Sequence, residues 1–406
     1  MPEILAQPQE WLLFEQNSEN GKGIFRFDLE QASDELTPLL NDYQHIDWIY
    51  LSPDGQHAAI RVQDKINVRD LISGKQLTQL SAGIPPNRDF WFVKTDNLVA
   101  WSPTGDKLAF IQFSEGPRTD ILLFDVINNQ LIFLTNDVAL ENALAWSPNG
   151  DKLAFATTQS CDKGIMDCSP ELQYWDVAII DPDGSNNHLV TNMSDRRIPD
   201  GDWVVNSICR LQWSPDQRFI AFRSFCPSAG ISTLSEVLVT ATGSPQLWQL
   251  TEFGDMDYDN SYSSVWSSDS RFFTIGYTHD FIFDDKEDEG GFLTFETSHF
   301  AETQIFTGIK QFYANRTSWS PDAKYVLGEA GNGAFLGSIQ NGEVTILADN
   351  LPSISLKGIW VNDKYITQFQ NRLISVLIPS GEILDLGIEL DDGMELVGHW
   401  RVNVSH

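Results

Sequence analysis

The amino-acid sequence predicts an all-β protein, folded as a single β-propeller of four-stranded antiparallel blades. Three observations lead to this prediction. A motif of the form Trp-Ser-Pro-x-Gly, followed by an apolar stretch, recurs along the 406 residues. The chain contains 13 Trp and 25 Phe, residue types that fit the pleated, half-buried surface of a sheet. Turn residues separate the apolar stretches so that four strands fall in each repeat of ~40–50 residues, which is the length of a propeller blade.

The first blade is predicted to be shared between the two ends of the chain. Residues 11–40 supply three apolar stretches, and residues 394–403 supply the strand that these three lack. Pairing of the two segments would close the propeller and remove free sheet edges, which otherwise invite aggregation.

The other blades follow the motif along the chain, within one predicted domain of residues 1–406. They are expected to start near residues 46, 96, 142, 208, 262, 315 and 356. The motif serines stand at positions 52, 102, 147, 214, 267 and 320, and weaker copies follow at Trp360 and Trp400. This pattern indicates eight blades. Seven is the alternative, because the copy at Trp360 has lost its Ser and Pro.

The residues of the motif are those of a tight hairpin. Pro presets φ at the second turn position, Asp or Asn bonds to its own downstream backbone, and Gly accepts a positive φ. The apolar residues on either side are then paired strands, and the Trp is expected to pack between neighbouring sheets.

The repeated W-S-P-D-G-x-x-[IL]-A-F pattern resembles that of TolB-like propellers, bacterial relatives of WD-repeat propellers. The resemblance covers nearly the whole chain and implies the propeller fold. It implies no particular activity, because the motif marks a turn. The dipeptidyl-peptidase family also carries an eight-bladed propeller, but this sequence has no G-x-S-x-G nucleophile motif after its repeats.

The charge balance restricts the partners. With 26 Lys+Arg against 57 Asp+Glu, the net charge is −31, which excludes a protein that binds the nucleic-acid backbone. No apolar run reaches the ~18 residues of a transmembrane helix. The first residues lack the features of a secretory signal, so export would mean that a leader has been removed. We expect a monomer.

The predicted binding face carries the long insertions. In each blade, the first-to-second and third-to-fourth turns share one end and are short, whereas the other connections include insertions at 81–96, 158–176, 192–207, 252–263 and 278–291. Insertions collected on one face of a repeat protein usually mark its binding face. The candidate binding residues are Phe90, Trp91, Phe92, Tyr174, Trp175, Trp203, Asp284 and Asp285. The alternative is that the aromatic residues fold back and extend the core.

Two further groups of residues suggest sites. Asp255, Asp257 and Asp259 alternate along one insertion and could hold calcium, although the EF-hand Gly and twelfth-position Glu are missing; no other cofactor is expected. Cys161, Cys168, Cys209 and Cys226 cluster in sequence and are disulfide candidates, with Cys209 and Cys226 on either side of one hairpin. Four cysteines allow three pairings, and free thiols are the alternative. Disulfides would place the protein outside the cytoplasm, in the periplasm or on the cell surface, and free thiols inside it.

Catalysis has little support in the sequence. The seven His are scattered, and no H-E-x-x-H pattern occurs. We therefore predict a non-catalytic scaffold that binds a protein or a cell-envelope glycan with its long-loop face. The alternative is a hydrolase or lyase that acts on polysaccharides with loop carboxylates near the central channel.

Overall fold

The motif forms the same hydrogen-bonded turn in blade after blade of the computed structural model. In the copy at Ser214, the hydroxyl donates to Asp216 Oδ1 at 2.7 Å and accepts the backbone N–H of Phe219 at 3.0 Å. Asp216 Oδ1 also accepts the N–H of Arg218 at 3.2 Å. The bond from the fifth following N–H to the serine hydroxyl recurs at Ser52, Ser102, Ser147, Ser267 and Ser320. Each turn is thus closed by its own residues, and it joins the first two strands of its blade.

The structure describes residues 9–18, 21–29, 36–43, 46–83, 98–114, 119–159, 175–193, 208–224, 236–251, 264–279, 289–303, 317–330, 333–347, 355–369, 371–391 and 393–402. These residues form strands and turns without an α-helix. Within the same ranges, no helical segment has the length and apolar character that crossing a bilayer requires.

The chain is an all-β propeller of eight four-stranded antiparallel blades, which confirms the predicted fold class and the predicted number of blades. Its contacts group the blades into two compact units. The first unit comprises Met1–Ile46, Leu71–Gly74 and Asn260–His406, and the second comprises Asp47–Asp70 and Lys75–Asp259.

The second unit contains blades 2 to 5, each formed by four consecutive strands. Blade 2 consists of β4 (Trp48–Leu51), β5 (His57–Val62), β6 (Lys65–Asp70) and β7 (Gln76–Ser81). Blade 3 consists of β8 (Val99–Trp101), β9 (Lys107–Phe113), β10 (Thr119–Asp125) and β11 (Gln130–Phe133). Blade 4 consists of β12 (Glu141–Trp146), β13 (Leu153–Thr157), β14 (Asp176–Ile180) and β15 (His188–Leu189). Blade 5 consists of β16 (Ile208–Trp213), β17 (Phe219–Ser224), β18 (Glu236–Ala241) and β19 (Leu247–Gln249).

The first unit contains blades 1, 6, 7 and 8. Blade 1 consists of β1 (Gln9–Ser18), β2 (Gly21–Asp28), β3 (Thr37–Tyr43) and β32 (Met394–Val402). Blade 6 consists of β20 (Val265–Trp266), β21 (Phe272–His279), β22 (Glu289–Glu296) and β23 (Ala301–Thr303). Blade 7 consists of β24 (Thr317–Trp319), β25 (Tyr325–Ala330), β26 (Gly333–Ser338) and β27 (Val344–Ile346). Blade 8 consists of β28 (Ser355–Val361), β29 (Lys364–Phe369), β30 (Arg372–Leu377) and β31 (Ile383–Glu389).

Blade 1 is shared between the two chain ends, as predicted. Strand β32 pairs antiparallel with β1, so that Gln9 lies opposite Val402 and Gln16 opposite Met394, with a register shift between Leu13 and Phe14. The sheet order is β3-β2-β1-β32, which places β32 in the position of a first strand.

The tryptophans of the motif join the first strands of neighbouring blades in the second unit. The indole N–H of Trp101 donates to the carbonyl of Tyr50 at 2.9 Å, that of Trp146 to Ala100 at 3.0 Å, and that of Trp213 to Ala145 at 2.9 Å. Each acceptor belongs to the preceding blade. It stands one residue before the motif Trp of that blade, or before Leu51, which takes the place of the Trp in blade 2. The apolar ring is buried between two blades while its polar edge is satisfied.

The core of the second unit lies between its blades. Blades 2 and 3 share a cluster around Val68, Trp101 and Phe110, and blades 3 and 4 share one around Ile111 and Phe155. Blades 4 and 5 share a third cluster, which contains Trp175, Phe222 and Leu238 among its buried side chains. The inner strands β13 and β14 are buried on both faces because both faces of blade 4 meet a neighbour.

Candidate functional site

Of the predicted site residues, the structure describes only Trp175 and Cys209. Outside the described residues lie Phe90, Trp91, Phe92, Tyr174, Trp203, Asp284 and Asp285, together with Asp255, Asp257, Asp259, Cys161, Cys168 and Cys226. The binding role of these residues and their calcium site remain predictions.

Trp175 does not lie on a binding surface. Its side chain is 1% exposed and packs between blades 4 and 5 with Val177, Phe222 and Leu238. The position immediately precedes β14, so the ring is already directed into the space between two sheets. For this residue, the alternative in which a loop aromatic extends the core is the correct one.

Cys209, in β16, is 6% exposed and disulfide-bonded. The other three cysteines of the chain lie outside the described residues, so the pairing stays a prediction.

The two ends of the blades in the second unit differ in construction. One end carries the serine turns, which also contact one another: a Cβ added to Gly105, at φ +72°, would lie 2.2 Å from Asp54 Oδ1 in the preceding blade. The opposite end carries the connections between second and third strands and between blades. We call it the long-connection end. In blade 4, for example, the chain between β13 and β14 runs from residue 158 to 175.

A repeated polar network anchors the chain at the long-connection end. The N–H of Ile121, Val177 and Val237, at the start of the third strands, donates to the hydroxyl of a threonine fourteen residues later, at 2.8–2.9 Å. These acceptors, Thr135, Thr191 and Thr251, are all buried. An acidic residue precedes each donor, namely Asp120, Asp176 and Glu236.

Asp176 shows how the network holds an insertion. Its carboxylate is completely buried, and Oδ1 accepts the hydroxyl of Thr191 at 2.9 Å and the N–H of Met193 at 2.7 Å. Met193 is the last described residue before the connection to blade 5. In blade 5, the buried carboxylate of Glu236 accepts the hydroxyl of Ser224 at 2.8 Å. A buried charge must be hydrogen-bonded in this way to be tolerated.

Glu141 is the most unusual group at this end. It begins β12 and has no solvent exposure. The hydroxyl of Thr119, in blade 3, donates to Glu141 Oε2 at 3.0 Å and accepts the N–H of Glu141. Among the described residues, Oε1 has no hydrogen-bond partner.

The pKa of Glu141 is raised to about 9, mainly by burial and also by the nearby carboxylates of Asp137 and Asp120, against a lowering effect of the Thr119 hydrogen bond. Asp137 itself accepts the N–H of Ala139 at 2.9 Å and the side-chain amide of Gln159 at 3.2 Å. Glu141 therefore carries a proton at neutral pH, because an ionised carboxylate would be desolvated beside two others.

The chemistry available to this cluster is limited by its burial. Glycoside hydrolysis uses a pair of carboxyl groups, one protonated and one ionised. Glu141 cannot serve in such a pair, because its side chain has no solvent exposure and cannot contact a substrate. Among the residues that the structure describes, no three His, Cys, Asp or Glu side chains are grouped to hold a metal ion. The cluster instead ties blade 3 to blade 4 and fixes the base from which the insertions leave.

Sequence reasoning missed this network, although a signal for part of it exists. An acidic residue, a β-branched residue and a threonine fourteen positions later recur at Asp120-Ile121, Asp176-Val177 and Glu236-Val237. Glu141 has no such signal, because its partner Thr119 belongs to another blade and no repeat of that pair occurs in the described residues.

Two solved structures with TM-scores above 0.5 support the fold. Dipeptidyl peptidase 4 of Porphyromonas gingivalis is 11% identical with a TM-score of 0.58, and the match covers 92% of this chain and 57% of that one. Dihydro-heme d1 dehydrogenase NirN is 14% identical with a TM-score of 0.55, covering 95% and 75%. TolB of Acinetobacter baumannii is 15% identical with a TM-score of 0.37, covering 71% and 61%.

The chain thus spans about three fifths of the length of the TolB and peptidase chains that it resembles. No protein-family model and no curated protein matches the sequence. The similarity to the peptidase and the dehydrogenase is a similarity of fold, that of a β-propeller.

Proposed function

We propose that this protein is a non-catalytic binding scaffold of the TolB-like propeller type, which recognises a protein or a cell-envelope glycan with its long-connection end. The observation that carries the proposal is the difference between the two ends of the blades. The serine turns are short, nearly identical and locked by their own hydrogen bonds, whereas the insertions leave from bases held by buried residues such as Asp176 and Thr191. Loops of varied sequence on a rigid framework are how many proteins build binding surfaces.

The partner contacts are proposed to come from the aromatic residues of the insertions. Phe90, Trp91, Phe92, Tyr174 and Trp203 are of the types that dominate protein interfaces and that stack on sugar rings. Asp284 and Asp285 would add charge at the rim. An acidic protein of net charge −31 favours a basic or neutral partner.

An extracytoplasmic location completes the proposal. The disulfide at Cys209 supports it, because disulfides persist mainly in oxidising compartments. Thiol counting on the intact protein under denaturing, non-reducing conditions tests this point. No free thiol is the expected result, and four free thiols would support a cytoplasmic protein instead.

The binding surface can be tested with one pair of variants. The long-connection variant replaces Phe90, Trp91, Phe92 and Trp203 with Ser, and the control variant replaces the exposed turn residues Pro53, Thr104 and Asn149 with Ala. Both are screened against an array of cell-envelope glycans and by crosslinking to an envelope fraction with quantitative mass spectrometry. We expect a ligand that binds the wild type and the control variant, and that the long-connection variant loses.

Two results would contradict the proposal. Equal loss in both variants would show that the ligand does not use the long-connection end. Turnover of a polysaccharide by the wild type, seen as new reducing or unsaturated ends, would show that the protein is a hydrolase or lyase and not a non-catalytic scaffold.

A calcium site at Asp255, Asp257 and Asp259 is part of the same proposal, as a device that orders one insertion. Thermal unfolding with calcium or with chelator tests it. Calcium is expected to raise the Tm of the wild type by stabilising the folded state, and to leave that of the triple Asp→Asn variant unchanged. An identical change of Tm in the two proteins would show that calcium does not bind at these residues.

A further inference from the structure

The outer edge of blade 3 differs from the other outer edges of the second unit. Strand β11 is the last strand of its sheet, whose order is β11-β10-β9-β8. Its side chains Leu131 and Phe133 are 43% and 57% exposed, and Ile127, in the preceding turn, is 77% exposed. The residues of β7 that are exposed are Gln76, Gln79 and Ser81, whereas β15 and β19 are only two and three residues long.

The backbone of β11 has outward-facing hydrogen-bonding groups at Leu131 and Phe133. The N–H of Leu134 donates to the carbonyl of Ile121 in β10, and Ile132 lies opposite Leu123. Because backbone groups alternate in direction along an antiparallel strand, those of Gln130, Ile132 and Leu134 face β10. The N–H and C=O groups of Leu131 and Phe133 therefore face away from the sheet.

This edge also lacks the features that protect exposed strands. Residues 126–136 contain no charged residue and no Pro, in a chain of which 20% is charged. By contrast, β3 contains Pro38, and β31 carries Asp385, which pairs with Arg372. Charges, Pro and short strands are the usual means by which proteins block pairing at a sheet edge.

Charge indicates what the edge can accept. The neutral segment is bounded by Asp125 and Asp137, and the whole chain carries −31. A second copy would bring like charges together along the strand, whereas a segment with basic residues at its ends would meet opposite charges.

We propose that β11 binds an extended segment of another protein, which adds a fifth strand to blade 3. The backbone of this segment pairs with Leu131 and Phe133. Apolar side chains at its alternate positions cover those of the same two residues, and Lys or Arg at its ends lies near Asp125 and Asp137. This surface is separate from the long-connection end, so it can be occupied together with the ligand proposed above.

The probe is a fluorescent peptide, KKVTFTVKK, with two controls: KKSTSTSKK removes the apolar side chains, and EEVTFTVEE reverses the charge. Binding is measured by anisotropy. We expect saturable binding of the first peptide, with the affinities of both controls at least about tenfold lower. No binding of the first peptide, or equal binding of all three, would overturn the proposal.

Three variants locate the site. Leu131→Thr with Phe133→Thr removes the apolar contact, and Leu131→Pro removes one outward N–H without touching the ladder to β10. Leu384→Thr with Leu386→Thr is the matched control, because these residues are 40% and 37% exposed at alternate positions of another outer strand, β31. The first two variants should lose the peptide and the control should keep it; retention by the first variant, at an unchanged Tm, would contradict the proposal.

Hydrogen exchange in the wild type provides a readout that needs no variant. The amides of Leu131 and Phe133 should exchange rapidly in the free protein and at least about tenfold more slowly with bound peptide. Unchanged exchange at both amides would show that the peptide does not pair with the strand. Sedimentation without peptide tests whether a second copy of this chain occupies the edge instead. A wild-type dimer that becomes a monomer in the Leu131→Thr, Phe133→Thr variant would overturn the proposal in favour of a second copy.

Discussion

Trp213 and Ala145 are joined by a hydrogen bond of 2.9 Å from the indole N–H to the backbone carbonyl, across the boundary between blades 4 and 5. The same bond recurs between the preceding pairs of blades in the second unit. In the second unit, the Trp of the motif thus has two roles, since it fills the space between sheets and donates to a carbonyl of the strand beside it.

Trp213→Phe should therefore cost more than the loss of ring volume. An aromatic ring is kept at this position, but the carbonyl of Ala145 loses the indole N–H as a donor in a partly buried setting. Trp319→Phe is the matched control, because Trp319 is equally buried and its Nε1 has no hydrogen-bond partner among the described residues. We expect the free energy of unfolding in urea to fall by about 1–2 kcal/mol more for Trp213→Phe. Equal losses would assign the motif Trp to packing alone.

Glu141→Gln should change how stability depends on pH. The folded-state pKa is raised to about 9, so the folded protein holds a proton that the unfolded chain releases from about pH 4.5 upward. The wild type should therefore lose stability relative to Glu141→Gln as pH rises from 5 to 9, by at most about 1.4 kcal/mol per pH unit. Urea unfolding across this range measures the difference.

A second variant identifies the cause of the shift. Asp137→Asn removes the carboxylate that raises the pKa of Glu141 most after burial, so the pH dependence should become weaker and end at a lower pH. Parallel stability curves for the wild type and Glu141→Gln would show that Glu141 is ionised in the folded protein.

Gly105→Ala tests the contact between neighbouring serine turns. The new Cβ would lie 2.2 Å from Asp54 Oδ1, and the backbone has φ +72°. Asp54 cannot easily yield, because it accepts the hydroxyl of Ser52 and the N–H of Gln56. We expect a loss of about 2 kcal/mol or more in unfolding free energy.

Gly150→Ala is the control for this substitution. Gly150 occupies the same turn position with φ +74°, but its added Cβ would lie 3.4 Å from Pro103 Cδ, an ordinary contact. Its loss should be limited to the backbone term of about 1–2 kcal/mol. A loss at Gly150 as large as that at Gly105 would mean that the neighbouring turn can move away.

Thr191→Val tests the anchor of the insertion that follows blade 4. The change removes the acceptor of the Val177 N–H and one donor to the buried carboxylate of Asp176. At Thr251, the same change removes the acceptor of the Val237 N–H. We expect losses of about 1–3 kcal/mol for either variant, with the larger one at Thr191. A larger loss at Thr251 would contradict the role given to Asp176.

The blades were predictable because their signals are local. Pro, Asp and Gly determine a turn over five residues, and the apolar runs on either side determine two strands, so that even the shared blade followed from counting strands at both ends. Trp175 was misplaced because an aromatic residue at the end of an insertion has the same appearance whether it points to solvent or into the core. Glu141 was missed because its environment is made by residues from another blade, such as Thr119 and Asp120, which no local pattern connects to it.

The register of β1 and β32 has a mechanical consequence. Because Gln9 lies opposite Val402, the outermost residues of these two strands are neighbours at one end of the same ladder. A pull applied to the chain before β1 and after β32 would load that pair first and open the ladder one pair at a time, as a zip, instead of sliding the two strands past each other under a shared load. Resistance to stretching would then depend on the residues nearest to Gln9 and Val402, however stable the rest of the sheet is to heat or urea.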